Sequence, residues 1–258
     1  MKKLPNPQGS FIGNVKNNDR KQLKLYKITI TIVAVVLILV VGMTAISAFR
    51  RNTTSSNRDF SSYDIPAYDS QVFEVLNNNV PYFNPDEYGI TVFEEYSDLD
   101  VYGRCGVAFA NICHEIMPTE PRGEIGHIKP SGWKQEKYPG VVDSEPPYLY
   151  NRCHLIGFQL AGENDNEKNL ITGTRFFNVE GMLPFENAVR NYVDETNNHV
   201  LYRVTPVYDG KNLVATGVIM EAWSVEDDGK GLSFNVFVYN VQPGVIIDYR
   251  DGSSRLEK

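Results

Sequence analysis

The C-terminal third of the chain alternates between apolar and polar positions in the way that predicts β-strands. Residues 199–208, 213–223 and 232–239 are each rich in β-branched and aromatic residues. The dipeptide Asp209-Gly210 separates the first two runs and favours a tight hairpin turn. A charged, glycine-containing segment separates the second run from the third. The pattern therefore predicts an antiparallel meander of three strands.

A helical repeat precedes these strands. Apolar residues recur there at helical spacing and predict one buried stripe: Phe185, Ala188, Val189, Tyr192 and Val193. Pro184 suits the first turn of this helix, and Asn197-Asn198 suits its end. Residues 121–147 hold five prolines and are predicted to be mainly loop. Together the elements predict an α+β fold built on a central antiparallel sheet.

Residues 28–49 form an apolar run without any charged residue. Its 22 residues would span roughly 33 Å as a helix, enough to cross a bilayer core. Seven basic residues precede the run and few follow it, which predicts a cytoplasmic N-terminus. The expected organisation is a cytoplasmic tail (1–27), a transmembrane signal-anchor (28–49), a linker (50–62), an extracellular domain (63–251) and a polar tail (252–258). A cleaved signal peptide is the alternative.

The exported part is acidic. Residues 60–258 hold 15 basic and 30 acidic residues, a net charge of −15. Nonspecific binding of nucleic acid depends mainly on neutralising phosphates, so a broad basic binding face is excluded. Any reaction on nucleic acid must then take place in a local site.

Three cysteines lie in the exported part, Cys105, Cys113 and Cys153. They are too few for a disulfide scaffold, so a hydrophobic core must hold the fold together. Cys105 and Cys113 could close a short loop, which the sequence alone does not decide. Cys153 would then be unpaired.

The segment Tyr148 to Ile156 contains an arginine and a histidine two residues apart. If it is a strand, Tyr150, Arg152 and His154 share one face, because side chains alternate along a strand. A guanidinium beside the imidazole would lower the pKa of His154 and keep it neutral, as a general base requires. Arg152 could also hold a phosphate oxygen. The alternative is an ordinary surface or half-buried pair.

Polar residues that suit a metal ion follow this segment. Asn169 and Asn178 flank a Gly-Thr turn that leads into the helix containing Glu186. Amide and carboxylate oxygens are suitable ligands for Mg²⁺, which needs few protein ligands. As alternatives, Asn178 could cap the helix and Glu186 could pair with Arg190 on its surface. Trp133 could stack on a base, or anchor its loop.

With these residues the sequence resembles the DNA/RNA non-specific endonucleases, which have a ββα-metal active site, and in particular the streptococcal DNA-entry nucleases and streptodornases. The family hallmark is Asp-Arg-Gly-His, matched here by residues 151–154. The resemblance covers about residues 63–251 and implies roles for six residues. They are His154 as general base, Asn178 as metal ligand, Glu186 as support of the metal's water shell, and Asn169, Arg152 and Arg122 as further active-site residues, Arg122 by spacing only.

Two residues depart from the hallmark, since Asn151 replaces its aspartate and Cys153 its glycine. Both are expected on the strand face opposite His154, where they would affect packing more than the base. The predicted function is a membrane-anchored, extracellular endonuclease that hydrolyses DNA or RNA with one Mg²⁺, Mn²⁺ being a candidate substitute. The alternatives are a catalytically silent surface receptor for DNA uptake and a cysteine hydrolase built on Cys113 or Cys153.

Overall fold

Six strands form one antiparallel sheet in the computed structural model of this chain, which describes residues 65–84 and 86–258. The strand order is β1-β8-β7-β6-β3-β2, and two separate two-stranded sheets pair β4 with β5 and β9 with β10. The strands are β1 (Phe73–Val75), β2 (Glu94–Tyr96), β3 (Ala108–Ile112), β4 (Tyr150–His154), β5 (Leu170–Thr174), β6 (Val200–Val207), β7 (Gly217–Ser224), β8 (Ser233–Tyr239), β9 (Val245–Asp248) and β10 (Ser253–Leu256).

The described residues form two α-helices. The short α1 covers Phe158–Ala161 and the long α2 covers Leu183–Thr196. A π-helix, Phe177–Met182, runs directly into α2, and 3₁₀ turns form at Asn77–Asn79 and Glu167–Asn169. The predicted α+β fold with a central antiparallel sheet is confirmed.

The predicted meander is confirmed as β6, β7 and β8, but the tight turn at Asp209-Gly210 is wrong. Val207 pairs with Gly217, so nine residues join the two strands. Asp209 does accept a hydrogen bond from Asn212 in a local turn. The segment after it then bonds to the loop at Tyr249 and Arg250 instead of extending β7. Tertiary contacts therefore outweigh the local turn signal.

Helix α2 follows the predicted pattern. Pro184 lies in its first turn, and Asn197 ends it in the left-handed conformation. Val189 and Val193 are fully buried, with Phe185 and Tyr192 packed against the same core. The stripe packs into the main core with residues of the central sheet, and so do Phe177 and Met182 of the preceding π-helix, so both helical segments are fixed against that sheet.

The core consists of apolar layers on both faces of the central sheet. On one face, alternate residues of β3, β6, β7 and β8 pack against β5, the π-helix and α2. On the other, smaller clusters form around Ile219 and Phe109. Burial of both faces explains why the meander strands are apolar almost throughout.

The two ends of the chain were predicted to lie outside the domain. Residues 252–258, predicted as a polar tail, contain the strand Ser253–Leu256, which pairs with β9 in full antiparallel register. The predicted tail, span and linker at 1–62 lie outside the described residues. Within residues 65–84 and 86–258, no helix is long and apolar enough to cross a membrane.

Candidate active site

A cavity of about 950 Å³ opens beside β4 and the start of α2. Five of the six residues proposed from the sequence line it: Arg122, Arg152, His154, Asn178 and Glu186. The loop 121–147, which is free of regular strands and helices as predicted, supplies much of the opposite wall. The structure thus brings together groups that are up to 64 residues apart in the chain.

His154 ends β4 and is only 7% exposed. Its Nε2 lies 2.9 Å from the carbonyl oxygen of Asn164, and its Nδ1 lies 3.3 Å from a guanidinium nitrogen of Arg122. A carbonyl can only accept and a guanidinium can only donate. The imidazole is therefore neutral, with the proton on Nε2 and the lone pair on Nδ1.

The pKa of His154 is lowered to about 4, mainly because burial disfavours the charged ring, with a smaller contribution from Arg122. The hydrogen bond to Asn164 opposes the shift. The direction predicted from the sequence is confirmed, but the predicted cause is wrong. Arg122 is the guanidinium beside the imidazole.

Arg152 instead holds the facing loop. It donates hydrogen bonds to the carbonyl oxygens of Ile128 and Gly126, and its guanidinium lies 4.3 Å from the ring centre of Trp133. The predicted pairing with His154 fails because strand alternation fixes only the direction of a side chain, whereas the loop carbonyls offer Arg152 better partners. Trp133 is half-buried under Arg152, which fits the anchoring role predicted for it.

Asn169 does not line the cavity. Its amide is fully buried, with Oδ1 accepting from the backbone N–H of Ile156 and Nδ2 donating to the carbonyl of the same residue. It therefore fixes the chain just after His154 and does not face a substrate, contrary to the direct role expected for it.

Glu186 lies in the first turn of α2 and points toward Gly157. A Cβ at position 157 would lie 2.7 Å from its Oε2, so glycine is needed there. Burial raises the pKa of Glu186 to about 7, while Gln159 and Arg122 oppose the shift. The alternative pairing with Arg190 is excluded, since Arg190 pairs with Asp194 at 2.6 Å.

Asn178 lies in the π-helix between β5 and α2. Such insertions are often found at functional sites, because they redirect one side chain. Its side-chain amide has no hydrogen-bond partner among the described residues and lines the cavity. The alternative role as a helix cap is not observed, since no side-chain cap bond precedes α2.

A hard cation fits this pair of groups. Asn178 offers an unpaired amide oxygen, and Glu186 is a buried carboxylate without an ion-pair partner among the described residues. No described group of three or more His, Cys, Asp or Glu residues could hold a metal ion. The donor set therefore suits a cation that keeps most of its water, as Mg²⁺ does.

The sequence departures occupy two different places. Cys153 packs in the main core, where its Sγ uses space left by Gly173. Asn151 lines the cavity, although it was expected on the face opposite His154. Strand β4 pairs only with β5 among the described strands, so a wide cavity at its free edge reaches residues of both faces.

The cysteines give no support to a thiol nucleophile. All three are unpaired and buried, so Cys105 and Cys113 form no disulfide. Burial raises the pKa of the Cys153 thiol far above its ordinary value, and a reactive cysteine requires the thiolate. Cys113 is 5% exposed and is absent from the cavity lining.

Arg175 is a cavity residue that sequence reasoning missed. It follows β5 directly, and its guanidinium has no partner among the described residues. With Arg122 and Arg152 it gives the cavity three arginines against the single carboxylate of Glu186. Its position three residues before Asn178 was the available signal. The cavity is therefore locally basic, although the domain as a whole is acidic.

The chain is similar to known nucleases in sequence. Residues 86–226 match the family model described as DNA/RNA non-specific endonuclease. A deoxyribonuclease of Streptococcus dysgalactiae subsp. equisimilis is 33% identical over 110 residues, which are 41% of this chain. The match spans only 32% of that relative's length.

Two solved nucleases share the architecture. NucA from Streptococcus agalactiae, crystallised with a magnesium ion, superimposes with a TM-score of 0.64 at 25% identity over 79% of this chain and 100% of NucA. The Sda1 nuclease with bound zinc gives a TM-score of 0.60 at 25% identity over 72% of this chain and 96% of Sda1.

Proposed function

This chain belongs to the DNA/RNA non-specific endonuclease family, and we propose that it hydrolyses phosphodiester bonds of DNA and RNA in the cavity beside β4. The main support is the neutral imidazole of His154, whose Nδ1 lone pair points at an arginine in that cavity. The three arginines are suited to phosphate oxygens. The relative of S. dysgalactiae, a deoxyribonuclease, supports DNA as a substrate.

His154 acts as the general base. Its Nε2–H is held by the carbonyl of Asn164, so the ring keeps one orientation and one tautomer. Nδ1 accepts a proton from a water molecule as the oxygen of that water attacks phosphorus and the bond to the leaving oxygen breaks. Because the pKa of His154 is about 4, the base stays unprotonated throughout the neutral range.

Arg122 has two successive partners in this mechanism. Without substrate it donates to Nδ1 of His154 at 3.3 Å. A phosphate oxygen is charged and accepts more strongly than a neutral imidazole. The arriving phosphate therefore draws Arg122 away and leaves the lone pair of His154 free for water.

Asn178 and Glu186 would hold one Mg²⁺, Asn178 as a direct ligand and Glu186 through the water shell. Magnesium supplies stabilisation of the negative charge that develops on the phosphate. The magnesium ion in the NucA crystal structure supports this choice. The chain's own contribution is a dry carboxylate and an unpaired amide placed at the same end of α2.

The test uses the full-length chain with plasmid DNA and with RNA, each in magnesium or in chelator. Cleavage is expected in magnesium. A loss of about 100-fold or more is expected for His154→Ala, since a general base usually contributes about 100- to 10,000-fold. His114→Ala is the matched control, since that histidine is exposed outside the cavity. Undiminished cleavage by His154→Ala, or by wild type in chelator, contradicts the mechanism. Binding without any cleavage supports the silent receptor.

The proposal includes attachment of the nuclease to the outer face of a membrane through residues 28–49. It is supported by the length of the apolar run and the basic residues before it. In intact cells, added protease should remove the nuclease domain, and the protein should fractionate with membranes. Recovery of the domain only inside protease-treated cells contradicts this topology.

A further inference from the structure

An exposed tyrosine stands on the wall of the cavity that the mechanism leaves unused. Tyr148 lines the cavity and is 39% exposed, while its neighbours Leu149 and Tyr150 are 0% and 2% exposed. The other aromatic rings of the lining are half-buried or buried. Tyr148 is therefore the aromatic face most open to a ligand.

Backbone contacts fix the segment that carries Tyr148. It forms an isolated antiparallel bridge with Lys137. Backbone hydrogen bonds on both sides fix this bridge, from Tyr138 to the carbonyl of Pro147 at 3.0 Å and from Leu149 to the carbonyl of Glu136 at 2.9 Å. Since the backbone that carries the ring is already fixed, a ligand that packs on the ring has little further backbone to order.

A cation lies over the same ring. The Nζ atom of Lys137 is 4.8 Å from the centre of the Tyr148 ring. The ammonium supplies positive charge beside an aromatic surface, and three arginines line the same cavity as that surface. Aromatic faces combined with a basic track are the arrangement that binds single-stranded nucleic acid.

We propose that Tyr148 stacks on an unpaired base of the strand bound in the cavity, with Lys137 near that strand's backbone, so that single strands bind more tightly than duplex. This inference rests on the proposed function, since it specifies the substrate form of the same cavity. In a duplex the bases are already stacked and paired. Presenting one of them to Tyr148 would require that it first be unpaired and unstacked.

The test measures equilibrium binding to the full-length chain, purified in mild detergent, with a chelator added to prevent cleavage. Three labelled probes are used: a short single strand, its duplex, and an abasic strand with the same number of phosphates. Wild type should bind the single strand more tightly than either other probe. Tyr148→Ala should weaken binding of the single strand about 10-fold and leave the other two unchanged.

Two further variants separate stacking from general damage. Tyr148→Phe keeps the ring and should retain binding, whereas Tyr148→Leu keeps apolar bulk and should weaken it as alanine does. Tyr102→Ala is the matched control. Tyr102 is 40% exposed beneath Arg104 at 4.9 Å, but it does not line the cavity. No probe should distinguish this control from wild type.

The inference is overturned if Tyr148→Ala and Tyr148→Leu weaken the abasic strand as much as the base-bearing strand, or have no more effect than Tyr102→Ala. Because cleavage is blocked, this outcome is independent of the cleavage test. Normal stacking with no cleavage leaves a binding protein, and cleavage without stacking leaves a nuclease with no base subsite at Tyr148.

Discussion

The buried carboxylate of Glu186 allows a quantitative prediction, because a group that we propose to support the metal ion should reduce the stability of the protein. Burial raises its pKa from 4.5 to about 7. At pH values above 7 the folded protein must hold an ionised carboxylate in a dry site. The unfolded chain holds the same charge in water. Replacement by the neutral isostere, Glu186→Gln, removes that penalty.

The magnitude follows from the shift in pKa. A rise from 4.5 to about 7 corresponds to about 3 kcal/mol, at 1.36 kcal/mol per unit. Since the folded pKa of Glu186 lies above the unfolded one, the stability that this group contributes is highest below pH 4.5 and falls as pH rises to 7. Glu186→Gln should therefore match wild type near pH 4.5 and exceed it by about 3 kcal/mol above pH 7.

Urea unfolding in chelator at a series of pH values measures this difference. His154 titrates in both proteins, so its contribution cancels when they are compared. Glu180→Gln is the control, because that carboxylate is exposed on the preceding turn. A Glu186→Gln protein that is less stable than wild type at pH 8, or a difference that ignores pH, refutes the reasoning. Added magnesium should stabilise wild type more than the variant.

Three further outcomes are expected. The pKa of His154 is lowered from 6.5 to about 4, so the stability contributed by its neutral ring should fall by about 3 kcal/mol as pH falls between those values. The difference in urea-unfolding free energy between wild type and His154→Ala should shrink by that amount, and a difference that does not depend on pH contradicts the burial argument. Asn169→Ala leaves the backbone of Ile156 unpaired and should lower unfolding free energy by about 2 to 4 kcal/mol, with an unchanged urea midpoint as the contrary result. Gly157→Ala places a Cβ against Glu186 and should reduce cleavage while circular dichroism stays native; wild-type activity would show that the carboxylate has room to move.

Local sequence patterns were sufficient to predict the elements whose stabilising residues lie within the element itself. Helix α2 is defined by its stripe, by Pro184 and by Asn197, all of which act within a few residues. The strands β6 to β8 are long and apolar enough to be recognised alone. The spacing of His154, Asn178 and Glu186 along the chain, through the family resemblance that it carries, also predicted that they share one site.

Elements that depend on distant partners were not predictable in this way. Strands β1 and β2 have three residues each and exist because β8 and β3 offer them free edges. The polar segment Ser253–Leu256 becomes a strand because β9 lies beside it. Arg203 and Glu221 are buried opposite each other at 2.7 Å, a pairing that no local pattern reveals.

The same division applies to the active site. The sequence alone predicted that a histidine, two polar ligands and some arginines form one site on an acidic domain. Only the tertiary structure decided that Arg122, 32 residues before His154, meets the imidazole, while Arg152 turns to the loop carbonyls. Strand periodicity specifies the face of the sheet on which a side chain lies. The position of the folded loop decides which of the two guanidinium groups lies beside the imidazole of His154.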